Sequence, residues 1–339
     1  MEKTHLLKNV LVTGGAGYVG NLLVPQLLED GHKVTVYDIM YFGKDTLPLD
    51  HPNLTVIEGD IRDATKLEKA CQGADAVIHL ACISNDPSFE LDEGLSTSIN
   101  YDCFEPMVVV AKEAGVKRFI YASTSSVYGV SDAPEVREDH PLVPLTYYNR
   151  FKGMCEPLLF KHQGPDFTCV TIRPSTICGY SPRTRLDLTV NILTNHAVNK
   201  GKITVFGGEQ YRPNLHIRDM VRLYQTMLAV DADKIAGETF NVGYRNLQVK
   251  EIARQAKKVV EEEYPELGDI DIVTTPSDDN RSYRVTSDKI KDMLGFEPIF
   301  TVEDAIRDLC QAFREGKLPD SFDNPWYYNV NQLQERKAA

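Results

Sequence analysis

No apolar run in this 339-residue chain approaches the roughly 20 residues that a membrane-spanning helix needs. Its first residues, MEKTHLLKNVLVTGG, lead straight into a strand pattern rather than into the apolar core of a secretory leader. Neither anchoring nor export is expected, and the reading is a cytoplasmic protein. Cysteine is scarce and scattered: Cys71, Cys82, Cys103, Cys155, Cys169, Cys178 and Cys310 include no CxxC pair, so neither a disulfide framework nor a metal site is expected. Positive charge is also short. With 37 Lys and Arg against 49 Asp and Glu, the net charge of −12 leaves no broad basic face for nucleic acid or a membrane surface. A phosphate-bearing ligand has to be held by a local pocket. Internal repeats and low-complexity segments are lacking too, which excludes solenoids and linker-rich architectures.

The sequence is rich instead in short β-branched runs at intervals. VLVTG at 10–14, KVTVYD at 33–38 and LTVIEGD at 54–60 are followed by DAVIHLA at 75–81, RFIYAS at 118–123 and TCVTIRP at 168–174, with helical patterns between them. Such alternation reads as right-handed βαβ units around a buried parallel sheet. The expected fold class is α/β, a Rossmann-like doubly wound parallel sheet with a smaller C-terminal substrate-binding cap. Residues 1–174 make the dinucleotide-binding domain, with a return segment at about 215–242 in which FNVG adds a strand; 175–214 and 243–339 make the cap. Helical patterns at 186–200, 249–264, 287–294 and 302–315 precede a polar tail.

TGGAGYVG, residues 13–20, ends the first strand and opens a helix. Gly14 permits the tight turn, Gly17 lets the backbone approach a pyrophosphate, and Gly20 allows close packing of helix on sheet. The second strand ends in Asp38, whose carboxylate can accept from both adenosine ribose hydroxyls and would repel a 2′-phosphate. NAD is therefore the expected cofactor. Asp60 and Ile61, after the third strand, are placed to meet the adenine, a solvated loop aspartate being the other reading. His79 is read as a structural hydrogen-bonding residue, with Leu80 and Ala81 beneath the dinucleotide.

The most informative group is Thr124 in ASTSSVYG with Tyr148 and Lys152, a Tyr-x-x-x-Lys pair at the start of a helical run. A spacing of four puts phenol and ammonium on one helical face, where the cation can lower the tyrosine pKa and make Tyr148 a usable base.

Together these residues resemble the extended short-chain dehydrogenase/reductases, the NAD-dependent epimerase/dehydratase family that includes nucleotide-sugar 4-epimerases. The resemblance runs through TGGAGYVG, GDI (59–61), HLA, Asn100, STSSVYG, YYNRFK, IRPSTICG, the HIRD segment, FNVG and DKIKDMLGFEP. It implies that Gly14, Gly17, Tyr18, Val19, Asp38, Asp60, Ile61, Leu80, Ala81, Tyr148, Lys152 and Pro174 line the cofactor, and that Asn100 supports the lysine through water or backbone. It further implies that Thr124 hydrogen-bonds a sugar hydroxyl while Tyr148 removes its proton and hydride passes from sugar C4 to the nicotinamide. A nucleotide-diphosphate sugar is the implied substrate. A homodimer through helices at 105–114 and 149–162 is implied as well, although a buried intradomain face would explain MVVVA (107–111) equally.

Departures from the family pattern narrow the reading. Dehydratase relatives carry Asp-Glu after the catalytic threonine and decarboxylases a Glu; Ser125 and Ser126 stand here, so loss of water or carbon dioxide is disfavoured and Ser125 becomes a substrate contact. Thr176 replaces the usual asparagine at the pyrophosphate. Arg212 and Arg281 match diphosphate-gripping arginines, surface salt bridges being the alternative. Ser84, Asn85 and Arg183 or Arg185 are further substrate candidates. A C4-epimerase is expected, with a product-releasing 4-dehydrogenase or 4-keto reductase, and a non-catalytic NAD(H) sensor, as alternatives.

Overall fold

The computed structural model describes residues 7–277 and 282–338. Its strands are β1 (Asn9–Thr13), β2 (Lys33–Asp38), β3 (Leu54–Glu58), β4 (Ala76–His79), β5 (Arg118–Ala122), β6 (Thr168–Pro174), β7 (Thr176–Cys178), β8 (Lys202–Phe206), β9 (Tyr211–His216), β10 (Glu238–Val242), β11 (Arg245–Gln248) and β12 (Asp271–Thr275). The helices are α1 (Gly20–Glu29), α2 (Ala64–Cys71), α3 (Asp86–Glu90), α4 (Glu93–Thr97), α5 (Phe104–Glu113), α6 (Tyr147–Phe160), α7 (Thr189–Lys200), α8 (Ile217–Ala229), α9 (Val249–Glu263), α10 (Asp288–Leu294), α11 (Val302–Arg314) and α12 (Asn329–Ala338).

The apolar runs assemble into a seven-stranded parallel sheet in the order β10-β6-β5-β4-β1-β2-β3. Alternation along each strand feeds two cores. Val10 and Val12 of β1 join Leu23, Ile120, Leu223 and Phe240 on one face, while Leu11 joins Val77, Phe104, Phe119 and Cys169 on the other. A doubly wound sheet is the outcome; FNVG adds a strand to it as expected, and that strand lies at its edge. A third core, with Leu193, Val205, Ile252, Val259 and Ile306, fills the space among α7, α9 and α11. Around it lie two small sheets, β11-β9-β7 and β12-β8, that the irregular pattern beyond Pro174 does not announce.

Two local features fix the frame of the cleft. Gly14 has φ +74°, and a Cβ there would lie 2.5 Å from the Ala81 backbone nitrogen; only glycine lets β1 turn this close to the end of β4. Helix α6 is pinned to the sheet by a buried ion pair, Arg173 Nη2 on β6 lying 2.6 Å from Glu156 Oε2. Ser123 Oγ donates to the same carboxylate at 2.6 Å. Replacing Glu156 with Ala strands a buried guanidinium, an expected loss of about 3–5 kcal/mol. The check is a lowered thermal unfolding midpoint; an unchanged midpoint contradicts it.

The polar tail is not a tail. Residues 329–338 form α12, which lies along the cleft between the sheet and the cap.

Candidate active site

Every described candidate site residue named from the sequence, except Asn100, lines one cavity of about 430 Å³ at the carboxyl ends of β1, β2, β4, β5 and β6. That is where an open α/β sheet binds its ligand. Arg281 lies outside the described residues.

One end of the cavity is built by the glycine turn and the end of β2. Gly14 and Gly17 face it, and a Cβ on Gly17 would meet only the Gly14 carbonyl, at 3.2 Å. Asp38 is fixed by two backbone donors, Ala16 N at 3.0 Å and Met40 N at 2.8 Å. Burial raises its carboxyl pKa, and those donors, with Arg183 nearby, offset part of the rise. A glycine turn that brings backbone near a pyrophosphate, and a carboxylate oriented at the end of the next strand, fit the two ends of an NAD adenosine diphosphate. Ile61, Leu80, Ala81, Val19 and Pro174 supply apolar walls.

Several assignments change in detail. Tyr18 faces the cavity, but its hydroxyl donates to Gly179 O at 2.5 Å and accepts from Asn191 Nδ2 at 3.1 Å, so the ring ties the glycine turn to the cap. Asp60 closes on Arg62, with both carboxylate oxygens 3.0 Å from Nε, and this hydrogen bonding lowers its pKa. Asn100 is turned toward the loop after β4 rather than toward the ammonium of Lys152, which donates to Ala122 O. Its side chain clasps Ile83, accepting from Ile83 N at 2.8 Å and donating to Ile83 O at 2.9 Å, and so sets the loop after β4. His79 is structural as read: its Nδ1 lies 2.7 Å from Thr13 Oγ1, and burial depresses its pKa well below the ordinary value.

The other end of the cavity holds Thr124, Tyr148 and Lys152. Thr124 caps the turn that follows β5, accepting from Ser126 N at 3.2 Å. Helix α6 is capped by Thr146, which presents Tyr148 in its first turn and Lys152 one turn on. The ammonium of Lys152 donates to Ala122 O at 2.7 Å and lies 5.1 Å over the Tyr121 ring. Tyr148 is half-buried in the cavity wall, and desolvation there drives its phenol well above the usual value; Cys82 and Asp86 push the same way and Arg185 pulls it down. Arg185 is thus a cation that eases ionisation of Tyr148, in addition to the Lys152 that the spacing suggests.

Arg185 is gripped in bidentate fashion by Asp187, at 2.9 and 3.0 Å, and donates to Ser84 Oγ at 3.2 Å. Asn85 Nδ2 donates to Asp187 at 3.1 Å. Ser84 and Asn85 thus hold the network at the mouth. Arg183 is drawn to the other end: its guanidinium lies 3.6 Å from the centre of the Phe42 ring, donates to Asn329 Oδ1 at 2.5 Å, and is pulled by burial to a pKa of about 9. Arg212 and Thr176 line the wall between the two ends, and Ser125 Oγ lies 3.4 Å from the Tyr283 hydroxyl.

The sequence reading misses Asn149, Asp187 and the α12 residues Asn329 and Leu333, all of which line the cavity. Asn149 is adjacent to Tyr148 in YYNRFK and Asp187 follows Arg185 in RLD, so the signal was a polar residue inside a motif already singled out.

The model of the NAD dependent epimerase/dehydratase family matches residues 10–243. Low-salt glycan biosynthesis protein Agl12 of Haloferax volcanii is 29% identical over 319 residues, covering 91% of this chain and 99% of that one. UDP-glucuronic acid decarboxylase 1 of Xenopus tropicalis is 26% identical, covering 91% and 72%. A UDP-glucose 4-epimerase and a dTDP-glucose 4,6-dehydratase are among other relatives. The solved structure of MoeE5 in complex with UDP-glucuronic acid and NAD is 25% identical, with a TM-score of 0.77 over 91% of this chain and 99% of that one. Fold, glycine turn, Tyr-x-x-x-Lys pair and family match agree, and the chain belongs to the NAD-dependent epimerase/dehydratase family of enzymes.

Proposed function

We propose that this enzyme is a nucleotide-sugar epimerase that works by transient oxidation at sugar C4. The observation that carries the reading is the convergence of Thr124, Tyr148 and Lys152 on a cavity shared with the glycine turn and Asp38, with hydroxyls at positions 125 and 126 where elimination or decarboxylation chemistry calls for carboxylates.

Bound NAD supplies the capacity to take a hydride from carbon and to give it back. The residues do the rest. Tyr148, as phenolate, takes the C4 hydroxyl proton while Thr124 hydrogen-bonds the same oxygen, and Lys152 holds the helix face against the end of β5. Arg212, near Thr176, meets the diphosphate as a planar fork. Once the 4-keto sugar has turned over, Tyr148 returns its proton to the C4 oxygen. Base and acid are one group, so the proton balance closes, and because the hydride taken from C4 is given back to it the cycle consumes no external reductant.

A second feature supports internal return over product release. α12 crosses the cleft beside the adenosine end, which hinders exchange of the dinucleotide between turnovers. A homodimer through α5 and α6 is part of the proposal, with Val109 and Met154 half-buried on those helices, as is a cytoplasmic setting.

The test is incubation of the purified protein with UDP-, GDP-, CDP- and dTDP-hexoses, following C4-epimer formation and nicotinamide absorbance together. An epimer with no net NADH is the expected result. Stoichiometric NADH or a released 4-keto product would instead make it a dehydrogenase, and silence across the panel would count against a nucleotide-sugar substrate.

A further inference from the structure

The Thr124 hydroxyl has a neighbour that no part of the scheme above uses. Thr124 Oγ1 lies 2.8 Å from Ser126 Oγ, and Ser126 Oγ in turn lies against the carboxamide of Asn149. Asn149 is 1% exposed. All three residues line the same cavity as Tyr148.

A hydroxyl has one proton to give, so the direction of donation runs consistently along such a chain. With the carboxamide oxygen toward Ser126, the Ser126 hydroxyl donates to Asn149 Oδ1. Ser126 has then spent its proton, Thr124 must donate into Ser126, and Thr124 presents only lone pairs to a substrate. The same arrangement leaves Asn149 Nδ2 buried without a partner among the described residues. That nitrogen is sealed from the cavity, so a ligand does not reach it either.

The two ends of a carboxamide have nearly the same size and are told apart by their partners. Turned over, Asn149 gives an N–H to Ser126 Oγ, Ser126 gives its proton to Thr124 Oγ1, and the Thr124 proton is free for the substrate. Buried donors without partners are rarer than buried acceptors without them, which favours this arrangement. A C4 hydroxyl that gives its only proton to Tyr148 can be held by Thr124 only if Thr124 donates.

We propose that Asn149, acting through Ser126, is a positioning residue that directs the Thr124 hydroxyl at the reacting oxygen. The assignment rests on the roles given above to Thr124 and Tyr148. It explains why a serine stands at position 126: its hydroxyl relays a donor where a carboxylate would only accept.

Two measurements on the full-length holoenzyme decide it. The first needs no turnover: with Asn side chains labelled, nuclear Overhauser contacts from the Asn149 amide protons to the Ser126 β-protons are expected, and a carboxamide oxygen facing Ser126 overturns the proposal. The second uses any nucleotide hexose that the wild type converts. Ser126→Ala and Asn149→Ala should each lower kcat about tenfold or more with KM within about twofold, yet neither should lower it further in a Thr124→Ala background. Losses that add in full overturn the relay. Asn149→Asp should lose kcat as pH rises, because only the protonated carboxyl can donate to Ser126; a profile parallel to the wild type counts against it. A wild type silent on every hexose sinks the nucleotide-sugar reading, while the amide contacts still decide the relay.

Discussion

Replacing Tyr148 with Phe should lower kcat by about a thousandfold, within the roughly 10²–10⁴ range of a lost general base, while bound NAD per protomer stays unchanged. The phenol is the group at the reacting end that can both take and return a proton, and the ring remains to fill its place. A variant keeping a tenth of wild-type turnover would show that Tyr148 is not the base. The pH profile carries a separate signature. Desolvation raises the Tyr148 pKa well above its ordinary value, Cys82 and Asp86 add to the rise, and Arg185 opposes it. A base must be deprotonated to act, so activity climbs with pH toward that raised pKa. Asp86→Asn removes one negative neighbour and keeps an oxygen for Thr146, which donates to Asp86 Oδ1 at 2.5 Å. With less charge opposing the phenolate, its pKa falls and the rising limb moves to lower pH. A limb that stays in place or moves up contradicts the placement of Asp86 beside the phenol.

What the sequence made legible and what it hid divide along a physical line. β1, β4, β5 and β6 are apolar runs buried on both faces, β2 is largely so and β3 is a half-buried edge, and short-range patterning is enough to place each within a few residues. Gly14 and the spacing of Tyr148 to Lys152 are legible for a similar reason, since a turn and one helical repeat are local. The electrostatics of Tyr148 were not, because Arg185 comes from a cap loop 37 positions away in the chain. The clasp of Asn100 on Ile83 was hidden because its partner is a backbone unit, and sequence gives no sign of which backbone a buried amide will clasp. The same blindness applies to residues 329–338, whose apolar content is small and whose attachment is to distant backbone carbonyls and to the side chains of Ser84 and Arg183. Polar composition there looked like solvation.

That attachment leads to the second large effect. Trp326 Nε1 donates to Phe42 O at 2.9 Å, Arg336 donates to Tyr41 O at 2.7 Å and to Met40 O at 3.1 Å, and Gln332 to Tyr41 O at 3.2 Å. These bonds fasten one side of the segment to the chain just beyond Asp38. On the opposite side Asn329 donates to Ser84 Oγ at 2.7 Å and accepts from Arg183. The segment therefore spans the cleft, and Leu333 and Asn329 form part of its wall. If each of these six bonds is worth about 0.5–1.5 kcal/mol net, opening the strap costs at least about 3 kcal/mol. At about 1.4 kcal/mol per decade, that slows escape of a dinucleotide by about a hundredfold. A chain ending at Asn324 should release NAD at least that much faster than the full chain, measured by chasing bound NAD with a fluorescent analogue. Trp326→Ala, which keeps the fold of α12 but loses one anchor, should give a smaller increase in the same direction. Equal release rates from all three proteins would mean that the strap does not gate the cofactor. Retention of NAD would then have to come from the glycine turn and Asp38 alone, and the cleft would be open to exchange, as a dehydrogenase that releases NADH each cycle requires.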